Sequence, residues 1–278
     1  MTLPATMKAM VTMGHGDLNQ MVLHTDWPRP EPASNEVLIK VGACGLNNTD
    51  VNTRSGWYSK TVNDATTGGA FEVVGEDDPT WGGAPLKFPL IQGADVCGKI
   101  VADGAEVNPS RIGERIITDG WLRDTKEPEN MNKVGYFGSE RDGGFAEYTT
   151  TPARNALVVT SDLSDAELAT FSCSYSTAEG MLTRAQVGPD DTVLIPGASG
   201  GVGGALVQLA KRRGARVIAM ASDTKHKDVA VLFPDKILPR APENLRVALG
   251  DEKITVVADI VGGPYWPALI DVLERGGR

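Results

Sequence analysis

The sequence has 278 residues, of which 41% are hydrophobic, so it can bury the core of one large domain or of two ordinary ones. Its formal net charge of −9 argues against nucleic-acid binding, because a phosphate backbone is bound by a basic surface. We expect neither a membrane span nor a secretory signal, since the sequence has no apolar stretch of about 18 residues and no basic and then apolar leader. Three cysteines do not make a disulfide framework, which indicates a cytoplasmic protein.

The first half of the chain contains short apolar runs that end at glycine or proline. These runs lie at 37–41, 98–102 and 115–118, and the segment 143–150 follows a glycine turn. Many short strands with glycine turns predict a barrel-like or sandwich-like domain. Segment 61–87 is rich in Gly, Asp, Thr and Pro and fits no element. It is either a loop that shapes a binding site or a plain surface insertion.

From residue 161 the pattern changes to alternating helices and strands. Ser164 and Glu167 have the spacing of a capping box before a helix start at 166–171. Apolar strands are predicted at 192–196, 216–220 and 254–261, and a helix at 201–213 ends before Gly214. Continuous apolar strands between helices are typical of a parallel sheet covered on both faces. We therefore predict an α/β protein with domains at 1–160 and 161–278.

A glycine-rich loop at 197–203 follows the first of these strands and opens the helix. Relative to the G-x-G-x-x-G fingerprint, Ala198 takes the first glycine position, while Gly200 and Gly203 keep the other two. A glycine at the second position lets the backbone approach a pyrophosphate, and the helix start offers N–H groups to the phosphates. The alternative is a tight turn without a ligand. The predicted dinucleotide contacts are Ala198, Ser199, Gly200, Gly201, Val202 and Gly203.

The end of the second strand, 216–220, indicates which dinucleotide binds. NAD-specific sites usually carry an acid there to hold the ribose 2′-hydroxyl. Here Ala221 and Ser222 stand near that position, Asp223 is next, and Lys225 and Lys227 follow at once. A hydroxyl and a cation suit a 2′-phosphate, so we predict NADPH, bound through Ser222 and Lys225. The alternative is that these lysines face solvent at a helix start.

Five further motifs accompany the glycine loop: Ala-Cys-Gly-Leu-Asn-Asn-Thr-Asp at 43–50, the segments 88–98, 143–148 and 176–178, and Asp-Ile-Val-Gly-Gly at 259–263. With these motifs, the sequence resembles a known family over nearly the whole chain. It is similar to the medium-chain dehydrogenase/reductases, in their quinone-oxidoreductase branch. The resemblance implies a GroES-like β-barrel domain and then a doubly wound Rossmann sheet, with the active site in the cleft between them. It also implies a homodimer and a C-terminal part of the sheet that is missing after Arg278.

The resemblance further implies several site residues. Asn47 matches a family position near the nicotinamide, Asp50 follows one turn later, and Tyr58 is a candidate donor to the substrate oxygen. Alternatively, Asp50 caps a helix and Tyr58 packs at a rim. Thr177 would flank the nicotinamide, and its ribose would be lined by Val261 and Gly262.

The family's zinc ligands are only partly present. Cys44 and Cys173 stand at the first and third ligand positions, but the second, a histidine in the family, is Ala94. Asp95 could substitute by moving. Leu46 replaces the hydroxyl residue that relays the alcohol proton, and leucine cannot pass a proton. We therefore predict no metal and treat Cys44 and Cys173 as small buried residues.

Without a metal, the predicted reaction is hydride transfer from NADPH to a quinone or an α,β-unsaturated carbonyl, where the oxygen needs only hydrogen bonds. Two alternatives stay open. One is a zinc-dependent alcohol dehydrogenase using Cys44, Asp95 and Cys173, and the other is a non-catalytic NADPH-binding protein. The predicted partners are a small carbonyl or quinone substrate and a second copy of the chain, with no nucleic acid and no membrane.

Overall fold

The computed structural model describes residues 3–59 and 85–278, which form two compact units. The first unit holds the described residues up to 173, and the second holds residues 174–278. Of the predicted insertion at 61–87, the part before residue 85 lies outside the described residues. Within the described ranges, no helix is both long and apolar enough to span a bilayer.

The first unit consists mainly of short strands. Five of them form a sheet of antiparallel pairs in the order β10-β6-β5-β3-β9, and three form a second sheet in the order β2-β1-β4. The strands predicted at 37–41, 98–102 and 115–118 lie in β3, β5 and β6. The elements are β1 (Thr6–Thr12), β2 (Met21–Pro28), β3 (Glu36–Gly45), α1 (Asn48–Ser55), β4 (Leu90–Ile91), β5 (Asp95–Asp103), β6 (Arg115–Thr118), β7 (Trp121–Leu122), β8 (Gly135–Tyr136), β9 (Tyr148–Pro152), β10 (Ala156–Val158) and α2 (Asp165–Leu168).

Strand β3 feeds two apolar cores, one on each face of its sheet. Successive side chains of a strand point to opposite faces. Val37 and Ile39 pack in the cluster that contains Phe137, whereas Leu38 packs in the cluster that contains Met7. All three β3 residues are fully buried. The apolar run at 37–41 therefore reflects a strand covered on both sides.

The strand predicted at 143–150 begins only at Tyr148. The N–H groups of Gly143, Gly144 and Phe145 bond instead to the carbonyls of residues 91, 93 and 92. This irregular pairing joins the glycine turn to the loop that follows β4. The predicted turn chemistry is therefore correct, but its residues are not part of the regular strand.

The second unit contains the predicted parallel sheet. Its strands follow the order β13-β12-β11-β14, and every neighbouring pair is parallel. Helix α3 begins two residues before this unit, and the capping box of Ser164 and Glu167 is present at the start of α2. The elements are α3 (Ser172–Arg184), β11 (Thr192–Ile195), α4 (Gly201–Arg212), β12 (Arg216–Ala221), α5 (His226–Ala230), β13 (Lys236–Pro239), α6 (Leu245–Leu249), β14 (Val256–Val257) and α7 (Trp266–Asp271).

Helices cover both faces of this sheet. Ile195 of β11 packs with Leu206 of α4 in one apolar cluster. The neighbouring Leu194 packs with Leu249 of α6 and Leu269 of α7 in another. The continuous apolar strands thus have the physical cause that the sequence predicts, which is burial on both sides.

The last predicted strand, 254–261, is shorter than expected. Regular pairing covers only Val256–Val257. Beyond it, the Asp259 carboxylate accepts hydrogen bonds from the N–H groups of Val261 and Gly262, at 2.8 and 3.2 Å, and this turns the chain away from the sheet. An apolar run alone did not reveal that Asp259 would end the pairing.

Candidate functional site

The glycine loop at 197–203 is held at the carboxyl end of β11 by its own backbone. Gly197 has a φ of +64°, a conformation that glycine adopts without steric cost. The N–H of Ala198 donates to the carbonyl of Met220 at 3.0 Å, which ties the loop to β12. Helix α4 then begins at Gly201, with Gly200 as its N-cap. The first N–H groups of the helix have no acceptor within it, so this end is suited to an anion.

Gly203 must be a glycine for steric reasons. A Cβ at this position would lie 2.2 Å from the carbonyl oxygen of Gly197 and 2.7 Å from the Cα of Ala198. At the next residue, Gly204, the nearest heavy atom to such a Cβ is a Leu232 methyl at 3.4 Å, an ordinary contact. The close approach of α4 to the loop therefore requires a glycine at position 203 but not at position 204.

A cavity of about 240 Å³ opens beside the glycine loop, within the second unit. Ala198, Ser199, Gly200 and Gly201 line it, together with residues of α4, α5 and Tyr175. Two other predicted contacts, Val202 and Gly203, do not line it. Four of the six predicted loop residues thus border one recess.

The other predicted cofactor residues lie around the same sheet end. Val261 is close to the loop, because a Cβ at Gly197 would lie 2.8 Å from its Cγ2. Gly262 has a φ of +67° in the turn that Asp259 stabilises. Thr177 is exposed on α3, one turn after Ser174. Ser174 lies close to the glycine loop, because a Cβ at Gly201 would lie 2.6 Å from its hydroxyl oxygen.

Ser222 and Lys225 stand directly after the carboxyl end of β12. The hydroxyl oxygens of Ser222 and Thr224 are 3.3 Å apart. The Lys225 ammonium is half-exposed and lies 3.3 Å from the Asp228 carboxylate. Because this ion pair is exposed, it is worth little, and a phosphate can compete for the lysine.

In the first unit, four residues from distant parts of the sequence form a polar cluster, in which Asp50 and Asp95 are buried and Asn47 and Cys173 are partly buried. The Asn47 amide donates to one Asp95 oxygen at 2.9 Å, and the Cys173 backbone N–H donates to the other at 2.8 Å. Asp50 accepts from the N–H of Asn47 at 2.8 Å and from the N–H of Gly93 at 3.2 Å. Asp50 thus caps α1 and fixes the loop after β4.

Burial dominates the electrostatics of this polar cluster. Burial, helped by the nearby Asp95 charge and opposed by two backbone hydrogen bonds, raises the pKa of Asp50 to about 6. Burial also raises the pKa of Asp95. The pKa of the Cys173 thiol rises to about 11 for the same first reason, so the thiol is neutral at physiological pH. The pKa of Cys44 is likewise raised by burial and by the two carboxylates.

Three hydroxyl groups extend the cluster at Cys173. The hydroxyls of Thr49 and Tyr136 both hydrogen-bond to its thiol. The Tyr58 hydroxyl lies 3.1 Å from that of Thr49. Tyr58 was singled out from the sequence, but Thr49 and Tyr136 were missed. No local signal could have found Tyr136, since it lies in a two-residue strand far from Cys173 in sequence.

A zinc site in this unit would need Cys44, Cys173 and, in place of the residue at Ala94, a displaced Asp95. Each Asp95 oxygen accepts one N–H bond, from the Asn47 amide and from the Cys173 backbone, and these two bonds hold the carboxylate in its present place. Among residues 3–59 and 85–278, no three His, Cys, Asp or Glu side chains are grouped so as to hold a metal ion. The side chains as arranged do not fit a catalytic zinc.

Comparison with known proteins identifies the family. The alcohol dehydrogenase GroES-like domain matches residues 33–161. Acryloyl-coenzyme A reductase of Metallosphaera sedula is 28% identical over 280 residues, which cover 98% of this chain and 75% of that protein. The chloroplastic NADPH-dependent alkenal/one oxidoreductase of Arabidopsis thaliana is 26% identical, and the match covers 100% of this chain and 62% of that protein.

A solved structure gives the strongest of the similarities described. It is a protein from Sinorhizobium meliloti 1021, provisionally named an alcohol dehydrogenase, with 43% sequence identity and a TM-score of 0.85. The match covers 99% of this chain and 75% of that one. With the parallel sheet and the glycine loop, these similarities show that the chain belongs to the medium-chain dehydrogenase/reductase superfamily and is an NAD(P)H-dependent oxidoreductase with a GroES-like and a Rossmann unit.

Proposed function

We propose that this oxidoreductase transfers hydride from NADPH to a quinone or an α,β-unsaturated carbonyl without a catalytic zinc. The observation that carries the proposal is the state of Asp95, whose two oxygens are held by the Asn47 amide and the Cys173 N–H. The relatives from Metallosphaera sedula and Arabidopsis thaliana, named for the reduction of acryloyl-coenzyme A and of alkenals and enones, support the same chemistry.

A conjugated acceptor needs no Lewis acid. It takes hydride at carbon, and the charge that develops on its oxygen needs only hydrogen-bond donors. When bound, NADPH supplies the hydride, and the protein's main task is to orient the two reactants. The acceptor would bind at the polar cluster, where Asn47 and Asp50 fix α1 and Tyr58 offers a hydroxyl.

In the second unit, the glycine loop and the start of α4 would bind the pyrophosphate. Val261 and Gly262 would line the nicotinamide ribose, and Thr177 would flank the ring. The preference for NADPH rests on Ser222 and Lys225, a hydroxyl and a cation placed after β12 where an NAD-specific site usually has an acid. We further propose a cytoplasmic homodimer, which light scattering and cell fractionation can test.

The first experiment measures the metal content of the purified protein and follows NADPH and NADH oxidation with quinones, enones and aldehydes. We expect less than about one tenth of an equivalent of zinc, turnover of quinones or enones, and a preference for NADPH. One zinc per chain with aldehyde turnover would instead support the alcohol dehydrogenase that uses Cys44, Asp95 and Cys173. Tight NADPH binding without turnover of any acceptor would support the non-catalytic reading.

A further inference from the structure

Tyr136 is held rigidly beside the polar cluster. It lies on β8, which pairs with β7, and its ring is edge-on to Trp121 with centroids 5.9 Å apart. Gly120 leaves room for the ring, because a Cβ there would lie 2.8 Å from the tyrosine Cζ. The phenol is therefore fixed by its own packing, and its hydroxyl reaches Cys173.

Cys173 is itself fixed from the other side. Its N–H donates to Asp95, which also accepts from Asn47. Two hydroxyls, from α1 and β8, therefore meet at one thiol whose position is set by a buried carboxylate. The side chains involved are only partly buried, so they lie within reach of a small molecule.

A thiol is an unusual acceptor for two hydroxyls. Sulfur accepts hydrogen bonds weakly. The thiol therefore orients the two hydroxyls, but breaking their bonds to it costs little free energy. A carbonyl oxygen that gains negative charge is a much stronger acceptor. The hydroxyls would therefore move from the sulfur to such an oxygen with a net gain in free energy.

We propose that Tyr136 and Thr49 together donate hydrogen bonds to the acceptor oxygen of the substrate, and that Cys173 is a positioning residue that orients both hydroxyls beforehand. This inference rests on the proposed function. When hydride adds to the β-carbon of an enone, its electron pair forms the new C–H bond and the π electrons of the C=C bond shift toward the carbonyl group. The substrate becomes an enolate, whose negative charge lies largely on the oxygen. The two hydroxyls stabilise that charge, and solvent then supplies the proton to the α-carbon. The cofactor is oxidised and the enone reduced.

The test compares Tyr136→Phe with Tyr148→Phe, which removes a phenol hydroxyl from the Met7 cluster of the same unit. With cyclohexenone or benzoquinone as acceptor, we expect Tyr136→Phe to lower kcat about 100-fold, with little change in KM or in the dissociation constant of NADPH. Tyr148→Phe should keep kcat within about twofold. Infrared spectra of isotope-labelled cyclohexenone bound without cofactor should show a carbonyl stretch at lower frequency, and Tyr136→Phe should make that shift smaller.

Cys173→Ala tests the positioning role. We expect kcat to fall about 10-fold, and the double variant with Tyr136→Phe to lose less than the product of the two single losses, because the cysteine acts partly through the tyrosine. If the wild type reduces neither acceptor, the proposed function and this inference both fail. If the wild type is active but Tyr136→Phe keeps its kcat and its carbonyl shift, this inference alone is overturned. Additive losses in the double variant would overturn the role of Cys173.

Discussion

The two units build their candidate sites in opposite ways. In the second unit, the glycine loop at 197–203 is one continuous segment, and its backbone would provide the proposed binding groups. In the first unit, the Asp95 carboxylate accepts from the Asn47 side chain, 48 residues away in sequence, and from the Cys173 backbone, 78 residues away. A site built from a continuous backbone depends on the absence of side chains, whereas a site built from distant side chains depends on buried hydrogen bonds.

The comparison predicts the largest loss where two distant segments meet at Asp95. In Asp95→Ala, the Asn47 amide and the Cys173 N–H both lose their acceptor. Each unsatisfied donor costs about 1–3 kcal/mol, so we expect the loss of both acceptors to lower the free energy of unfolding by about 2–6 kcal/mol. Denaturant titration measures this change.

Asp95→Asn is the matched control. Its amide keeps one acceptor oxygen, and Asn47 can turn its own amide to accept from the new NH₂ group. We therefore expect the loss of unfolding free energy to stay below about 1 kcal/mol. Equal losses in the alanine and asparagine variants would show that the negative charge, and not the hydrogen bonds, holds the cluster together.

In the continuous glycine loop, the expected effect is smaller and has a steric cause. Gly203→Ala places a Cβ 2.2 Å from the Gly197 carbonyl oxygen, so α4 must shift away from the loop. Overpacking of this kind costs about 1–3 kcal/mol, and we expect NADPH affinity to fall at least about 10-fold because the helix start moves. Thermal unfolding and cofactor titration by fluorescence measure the two effects.

Gly204→Ala sharpens this test, since it adds the same methyl group one residue later in the same helix. Its Cβ has only an ordinary contact with Leu232. Alanine is also the better helix former by about 1 kcal/mol, so this variant should be as stable as the wild type or more stable. A similar loss in both variants would mean that glycine content, not the contact at Gly203, governs the loop.

In the second unit, the proposed preference for NADPH rests partly on one charged side chain, Lys225. We expect Lys225→Glu to raise the KM for NADPH about 10-fold and to leave the KM for NADH unchanged, because only NADPH carries the 2′-phosphate. Lys253→Glu changes the net charge equally but lies before β14, at the opposite end of the parallel sheet. Steady-state kinetics with both cofactors would contradict the prediction if the two variants behaved alike.

The same contrast between local and distant contacts decides which features of the fold and of the candidate sites could be predicted from the sequence. The parallel sheet, α4 and the glycine loop are local patterns, and all were predicted from periodicity and glycine spacing. The bonds among Asn47, Asp95 and Cys173 were not, because no spacing rule relates residues brought together by a sheet and two helices. Tyr136 was missed for the same reason. The end of β14 was missed because Asp259 stops the pairing through its side chain, which an apolar run does not reveal.

The smallest predicted effect belongs to the capping box of α2, the most local feature of the first unit. Ser164 accepts from the Glu167 N–H at 3.2 Å, and Glu167 accepts from the Ser164 N–H at 2.7 Å. Ser164→Ala should lower the free energy of unfolding by about 1 kcal/mol, whereas Glu167→Gln should change it little, since glutamine fills the same role. Chemical denaturation of both variants measures the difference. If Ser164→Ala cost as much as Asp95→Ala, the sequence-local contacts would be as important to this unit as the distant ones, and the contrast between the two sites would fail.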